Sequence, residues 1–228
     1  MKFVVSLDHQ RFFNEHGFIE FEELVTPEKL KEINRALDTV LARRTGAKAA
    51  ALKDLPPAEL FPYARNLWMD SEGIKKFDCQ GRLTEIVLSL SKKNELILGY
   101  DQLLIPEQPL ANPYYPAAFP EALPLADVSS AQDIVCAMVV CLQGGGEGSF
   151  GIFPAKEGNV TFIRAQTPVD FSVLEQNQDK RFLLVAFADP KSVYLYREKD
   201  PNTHFNKQKG YVFGDRLFNK GHPAIRVR

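Results

Sequence analysis

Histidine is scarce in this chain. Its 228 residues hold four: His9, His16, His204 and His222. Every hypothesis that needs an imidazole, for a metal or for proton transfer, starts from that short list. Cysteine is scarcer still. Cys79, Cys136 and Cys141 are odd in number and form no Cys-x-x-Cys pair, which argues against a disulfide framework or a zinc knuckle. Cys136 and Cys141 are five apart in an apolar run, so an extended strand points them to opposite faces. Reduced core thiols are the expectation. No stretch reaches the roughly 18 apolar residues of a membrane span. The opening Met-Lys-Phe-Val-Val-Ser-Leu-Asp has too short an apolar run for a secretion signal, so a cytoplasmic protein is expected. Basic residues are absent between Lys93 and Lys156. The net charge of −1 gives no global pull toward nucleic acid or an anionic membrane.

What is present divides unevenly. From residue 189 onward nine Lys/Arg face four acids, and Tyr194, Tyr196, Tyr211, Phe213 and Phe218 are interleaved among them. So many aromatics predict a tail packed on the core. With 45% hydrophobic residues the chain can bury a sizeable core.

Asp8 reads as a helix cap, with a helix over about 9–16 ending at Gly17. Phe18, Ile19, Phe21 and Leu24 suggest a short strand. Thr26-Pro27-Glu28 opens a second helix, whose Leu30, Ile33, Leu37, Val40 and Leu41 share one face. Residues 45–62 read as loop, 65–69 and 83–90 as helix, and 95–105 as a strand. Six prolines in 106–124 exclude regular structure there. Strands follow over 134–142, 150–153, 160–163, 171–174 and 182–187. Helices first and closely spaced strands after predict an α+β fold, a sandwich or barrel with helices on one face.

Gly146-Glu-Gly148-Ser-Phe-Gly151 matches the glycine-rich phosphate loop, yet neither a kinase catalytic loop nor a following helix with an acidic ribose partner exists. A hairpin turn is the better reading.

The layout resembles the phytanoyl-CoA dioxygenase-like family of iron(II)/2-oxoglutarate oxygenases. The likeness rests on Phe12-Phe13-x-x-x-Gly17-Phe18-Ile19, on Leu24-x-Thr26-Pro27-Glu28-x-Leu30, and on Tyr100-Asp101-Gln102-Leu103-Leu104. Ile134 to Leu142, Gly148 to Pro154, Gly158 to Phe162 and Arg181 to Val185 continue it in order. It is also similar to the chlamydial branch of this fold. The resemblance implies a double-stranded β-helix (cupin, jelly-roll) core with N-terminal helices on one face. Residues 1–93 would be a helical lead-in, 94–188 the core with its Pro-rich loop at 106–124, and 189–228 a basic aromatic tail packed on that core, all in one domain.

The family's chemistry uses His-x-Asp/Glu and a distal His on one face of iron(II). No His-x-acid occurs in this sequence. The corresponding positions fall on Ser130 and Gln132, and on Val169 or Asp170. Arg181 stands where the resemblance implies an oxoglutarate-binding arginine, since arginine pairs bidentately with carboxylate. His9 and His16 lie two helical turns apart, roughly 10 Å, too far for one metal. Asp101 and Asp127 are the candidate pocket acids; with Asp133 and Asp170 they would form an oxygen-only set suited to magnesium or calcium. Three functions remain. The first is a non-catalytic barrel binding a small anion or a protein, with no cofactor. The second is an atypical active dioxygenase using iron(II), 2-oxoglutarate and Asp170. The third, disfavoured by the modest tail charge, is a nucleic-acid binder working through the tail.

Overall fold

The computed structural model describes residues 4–105, 122–144, 151–176 and 180–226. Five helices precede most of the sheet: α1 (Leu7–His16), α2 (Pro27–Thr45), α3 (Pro57–Leu60), α4 (Glu72–Cys79) and α5 (Arg82–Ser91). The strands are β1 (Phe18–Phe21), β2 (Glu95–Leu104), β3 (Leu123–Pro124), β4 (Ile134–Gln143), β5 (Val160–Arg164), β6 (Pro168–Val169), β7 (Arg181–Ala188) and β8 (Ala224–Arg226). Six of them form one antiparallel sheet in the order β1-β5-β4-β7-β2-β8, and β3 pairs with β6 separately. Helix and antiparallel sheet together make the fold α+β.

Local chemistry fixes the lead-in. Ser6, not Asp8, caps α1: its hydroxyl accepts from His9 N–H, and His9 Nδ1 accepts from Ser6 N–H. Gly17 ends the helix at φ 81°, where a Cβ would also strike Thr167 Oγ1. Thr26 and Pro27 start α2 as their chemistry predicts. Its Leu30, Ile33, Leu37, Val40 and Leu41 are all buried.

Alternation along the strands divides two cores. Cys136, Met138, Val140, Leu183, Val185 and Phe187 face the helices. Ala137, Val139, Cys141, Phe182, Leu184 and Ala186 face the opposite side, where Phe153, Phe171, Leu174, Tyr194, Tyr211 and Leu217 cover them. Cys136 and Cys141 thus lie on opposite faces, and all three thiols are free.

Several expected elements change. Residues 45–62 hold a 3-10 turn at Ala49–Asp54 and the short helix α3. Residues 65–69 give a 3-10 turn at Leu67–Asp70, and α4 follows unforeseen, capped by Ser71. Phe171–Gln176 is a 3-10 turn rather than a strand, because Asp170 Oδ1 takes Ser172's N–H and hydroxyl. Most of the Pro-rich loop and the glycine-rich 146–150 stretch lie outside the described residues; Leu123–Pro124 at the loop's end is strand. No described helix is long and apolar enough to cross a membrane.

Candidate functional site

The face of the sheet away from the helices carries the candidate site. Tyr100 and Gln102 reach it from β2 because a bulge at Gly99 interrupts the β2–β7 register between Leu98 and Tyr100. Before the bulge Ile97 faces this side; after it Tyr100 and Leu104 do. A bulge adds one residue and reverses the parity of the rest of the strand.

Arg65 comes alongside from the segment before β2. Its neighbours clamp that segment to the strand: Leu103 N–H donates to Ala64 O, and Asn66 N–H to Asp101 O. The Arg65 guanidinium lies over the Tyr100 ring at 3.4 Å from the centroid. Its Nη2 reaches Asp200 Oδ2 at 3.4 Å. Arg65 and Asp200 are 6% and 2% exposed, so this is a buried ion pair. Ser130 N–H donates to Asp200 Oδ2 at 2.7 Å and Asn202 N–H to Oδ1 at 2.9 Å. Asn202 Nδ2 donates to Gln102 Oε1 at 3.0 Å, and Gln102 Nε2 to Leu103 O at 3.1 Å. The Tyr194 hydroxyl donates to Thr203 O, and Arg197 N–H to Thr203 Oγ1, which pins the loop carrying Asp200. Beside Asp200 lies a cavity of about 20 Å³, walled also by Leu104, Leu125, Val128 and Leu184.

Of the candidate metal, pocket and oxoglutarate residues read from the sequence, only Ser130 joins this network, through its backbone. Gln132 is half-buried; its N–H donates to Val193 O and its carbonyl accepts from the Ser192 hydroxyl. Val169 is a buried apolar residue of β6. Asp170 is exposed and spent on capping the Phe171–Gln176 turn. Asp127 is exposed in an open groove of about 620 Å³ at the sheet's end, with Gln132, Asp133, Arg164, Asp189 and Arg197.

Two expectations are corrected. Asp101 is not a pocket acid. The Gly99 bulge turns it to the helix face, where it accepts from Leu67 and Trp68 N–H at 2.6 and 2.8 Å. Burial holds its carboxyl above the ordinary value, partly offset by Asp78 and those two amides. Asp78 of α4 is wholly buried and meets no N–H or O–H donor among the described residues. Burial, then the Asp101 charge, hold its carboxyl well above the ordinary carboxylate range. Arg181, expected to meet an oxoglutarate carboxylate, shares the parity of Leu183 and Val185 and faces α2. There its Nη2 pairs with Asp38 at 2.7 Å and its Nη1 donates to Asn34 at 3.2 Å. The residue on the inner face beside it is Phe182.

None of the four histidines enters the inner network. His9 caps α1, and His16 stacks on Phe12. His204 is exposed. His222 is buried, with Nδ1 on Leu98 O and Nε2 on the Tyr211 hydroxyl, and burial pushes its pKa down to about 4. Among the described residues, no group of three or more His, Cys, Asp and Glu is placed to hold a metal.

Sequence reasoning missed Arg65, Asp200 and Asn202. Arg65 sits in an irregular segment and Asp200 in the tail, 135 residues apart, so no spacing links them. Tyr100 and Gln102 were legible as a strand, but only the bulge decides which face they take.

No protein-family model and no curated protein matches the sequence. Solved structures do. CT296 from Chlamydia trachomatis is 20% identical with a TM-score of 0.51, over 82% of this chain and 97% of that one. The non-heme α-ketoglutarate-dependent carbocyclase SnoK of nogalamycin biosynthesis gives 0.65 at 12% identity, over 96% of each chain. CytC3, solved with Fe(II) and α-ketoglutarate, gives 0.53 at 13% identity, over 84% of this chain and 80% of that one. The fold is therefore one shared with these solved structures.

Proposed function

We propose that this chain is a double-stranded β-helix protein of phytanoyl-CoA dioxygenase-like type that binds a small anion or a protein partner and performs no iron chemistry. The strand order supports the barrel reading, with the six-stranded sheet as one wall and β3–β6 as a short second wall. A cytoplasmic location fits the free thiols.

The residues at the family's iron positions do not fit iron. Ser130 offers one hydroxyl, Gln132 an amide, Val169 nothing, and the Asp170 carboxylate is turned to its own 3-10 turn. Iron(II) of this class takes two imidazoles and a carboxylate. The observation that carries the proposal is the inner network itself. Arg65, Gln102, Asp200 and Asn202 close the inner face down to about 20 Å³, room for a water and not for an oxoglutarate with its metal.

The test is turnover. The purified chain is supplied with Fe(II), 2-oxoglutarate and oxygen, and succinate is measured. No succinate above a metal-free control is expected. Stoichiometric iron retention with oxoglutarate-dependent succinate release would overturn the proposal and favour the atypical oxygenase.

A further inference from the structure

We infer that the inner network is a seat for a small organic carboxylate, kept closed by the chain's own Asp200; the inference rests on the binding reading above and names the ligand class. Two groups outside the loop converge on the Asp200 carboxylate, Arg65 Nη2 and Ser130 N–H, while Asn202 N–H, two residues on in the same loop, holds its other oxygen. That donor set is a general one for carboxylates, a guanidinium plus a backbone amide. Asp200 fills it imperfectly. The guanidinium fork meets it through one nitrogen at 3.4 Å, whereas an unconstrained carboxylate takes two such bonds at about 2.8 Å. Asp200 is held in its own turn, its N–H on Arg197 O and its carbonyl on Thr203 N–H.

The loop carrying Asp200 has the two-sided character of a removable cover. Glu198, Lys199 and Pro201 line its outside, while Asp200, Asn202 and Thr203 are buried polar groups on the inside. The wall beyond Asp200 is apolar, built from Leu104, Leu125, Val128, Phe171 and Leu184. The ligand therefore carries a carboxylate on a short apolar stem. With about 20 Å³ free, it enters only by displacing Asp200, so binding and loop opening are one equilibrium.

Chemical rescue tests this on the full chain in chelator-containing buffer, which keeps the outcome separate from any iron-dependent turnover. Asp200→Ala vacates the seat. Acetate or propionate at about ten times its Kd then raises the Tm of that variant by roughly 4 °C over equimolar chloride. Asp200→Ala combined with Arg65→Met shows no such rise. In the wild-type chain, propionate speeds hydrogen exchange at the Asn202 and Thr203 amides relative to chloride. A chloride-like response in Asp200→Ala, or a rise that survives loss of Arg65, overturns the inference. If Asp200→Ala does not fold, the wild-type exchange experiment decides alone, and unchanged exchange overturns it.

Discussion

His222 is enclosed between the β2 backbone and a tyrosine hydroxyl, and that enclosure sets a pH dependence. Burial depresses its pKa from 6.5 to about 4, partly offset by the bond to Leu98 O. A histidine held neutral in the fold but free to protonate in the unfolded chain stabilises the fold above 6.5. The contribution is lost as the pH falls from 6.5 toward 4, by at most roughly 3 kcal/mol. Urea unfolding at pH 7.5, 6, 5 and 4 is expected to show the wild type losing its advantage over His222→Gln across that interval. A gap that stays constant with pH would sink the assignment. Histidine scarcity was plain from the sequence; the role of His222 was not. Its place in the tail says nothing of its enclosure. Only the pairing of β8 with β2, with Leu98 N–H on Pro223 O, draws it against the sheet. The misplaced Arg181 has a similar cause. Its position at a strand start was legible, but the parity of a strand is fixed by its neighbours' packing.

Among the elements, β2 shows most sharply how packing overrides a local pattern. Its residues read from the sequence as one strand over 95–105, close to the observed Glu95–Leu104. Nothing in that pattern contained the bulge at Gly99, which exchanges Asp101 for Tyr100 and Gln102 on the inner face. A Cβ at Gly99 would lie 3.0 Å from Ile134 Cδ1 and 3.1 Å from Ala186 O. The isoleucine tip can move; the carbonyl of the central strand β7 cannot without loosening the ladder. Gly99→Ala is therefore expected to destabilise by about 1–3 kcal/mol. Gly73→Ala is the control. Its Cβ meets nothing closer than 3.7 Å inside α4, so it should be neutral or stabilise by about 0.5–1 kcal/mol. Thermal unfolding of the two variants separates a crowded strand position from a generic glycine effect. Equal shifts would mean that the crowding at Gly99 is relieved at no cost. Where local chemistry decides, as at the Thr26-Pro27 start of α2, the sequence was enough. Where two distant segments decide, as in the parity of β2, it was not.

At the scale of the whole chain, the tail is the question, because it supplies both the cover of the inner face and the carboxylate within it. Tyr194 is fully buried and central to that cover. Its N–H donates to Asp215 O, its carbonyl accepts from Gly214 N–H, and its ring packs on Phe213 and Tyr211 at 4.9 and 6.0 Å. Helices first and closely spaced strands after were readable as an α+β layout. The Arg65–Asp200 link was not, since it joins the lead-in to the tail across the sheet. Such a link makes the tail part of the same cooperative unit as β4 and β7. Tyr194→Ala should then cost about 3–5 kcal/mol and lower the protection of core amides in β4 and β7 by the same amount as those in the tail. Native-state hydrogen exchange reads both sets in one experiment. A tail that opens alone, with Val139 and Val185 amides as protected as before, would show instead that the sheet and its first five helices stand without it. In that case Asp200 could leave the inner face at little cost to the rest of the fold.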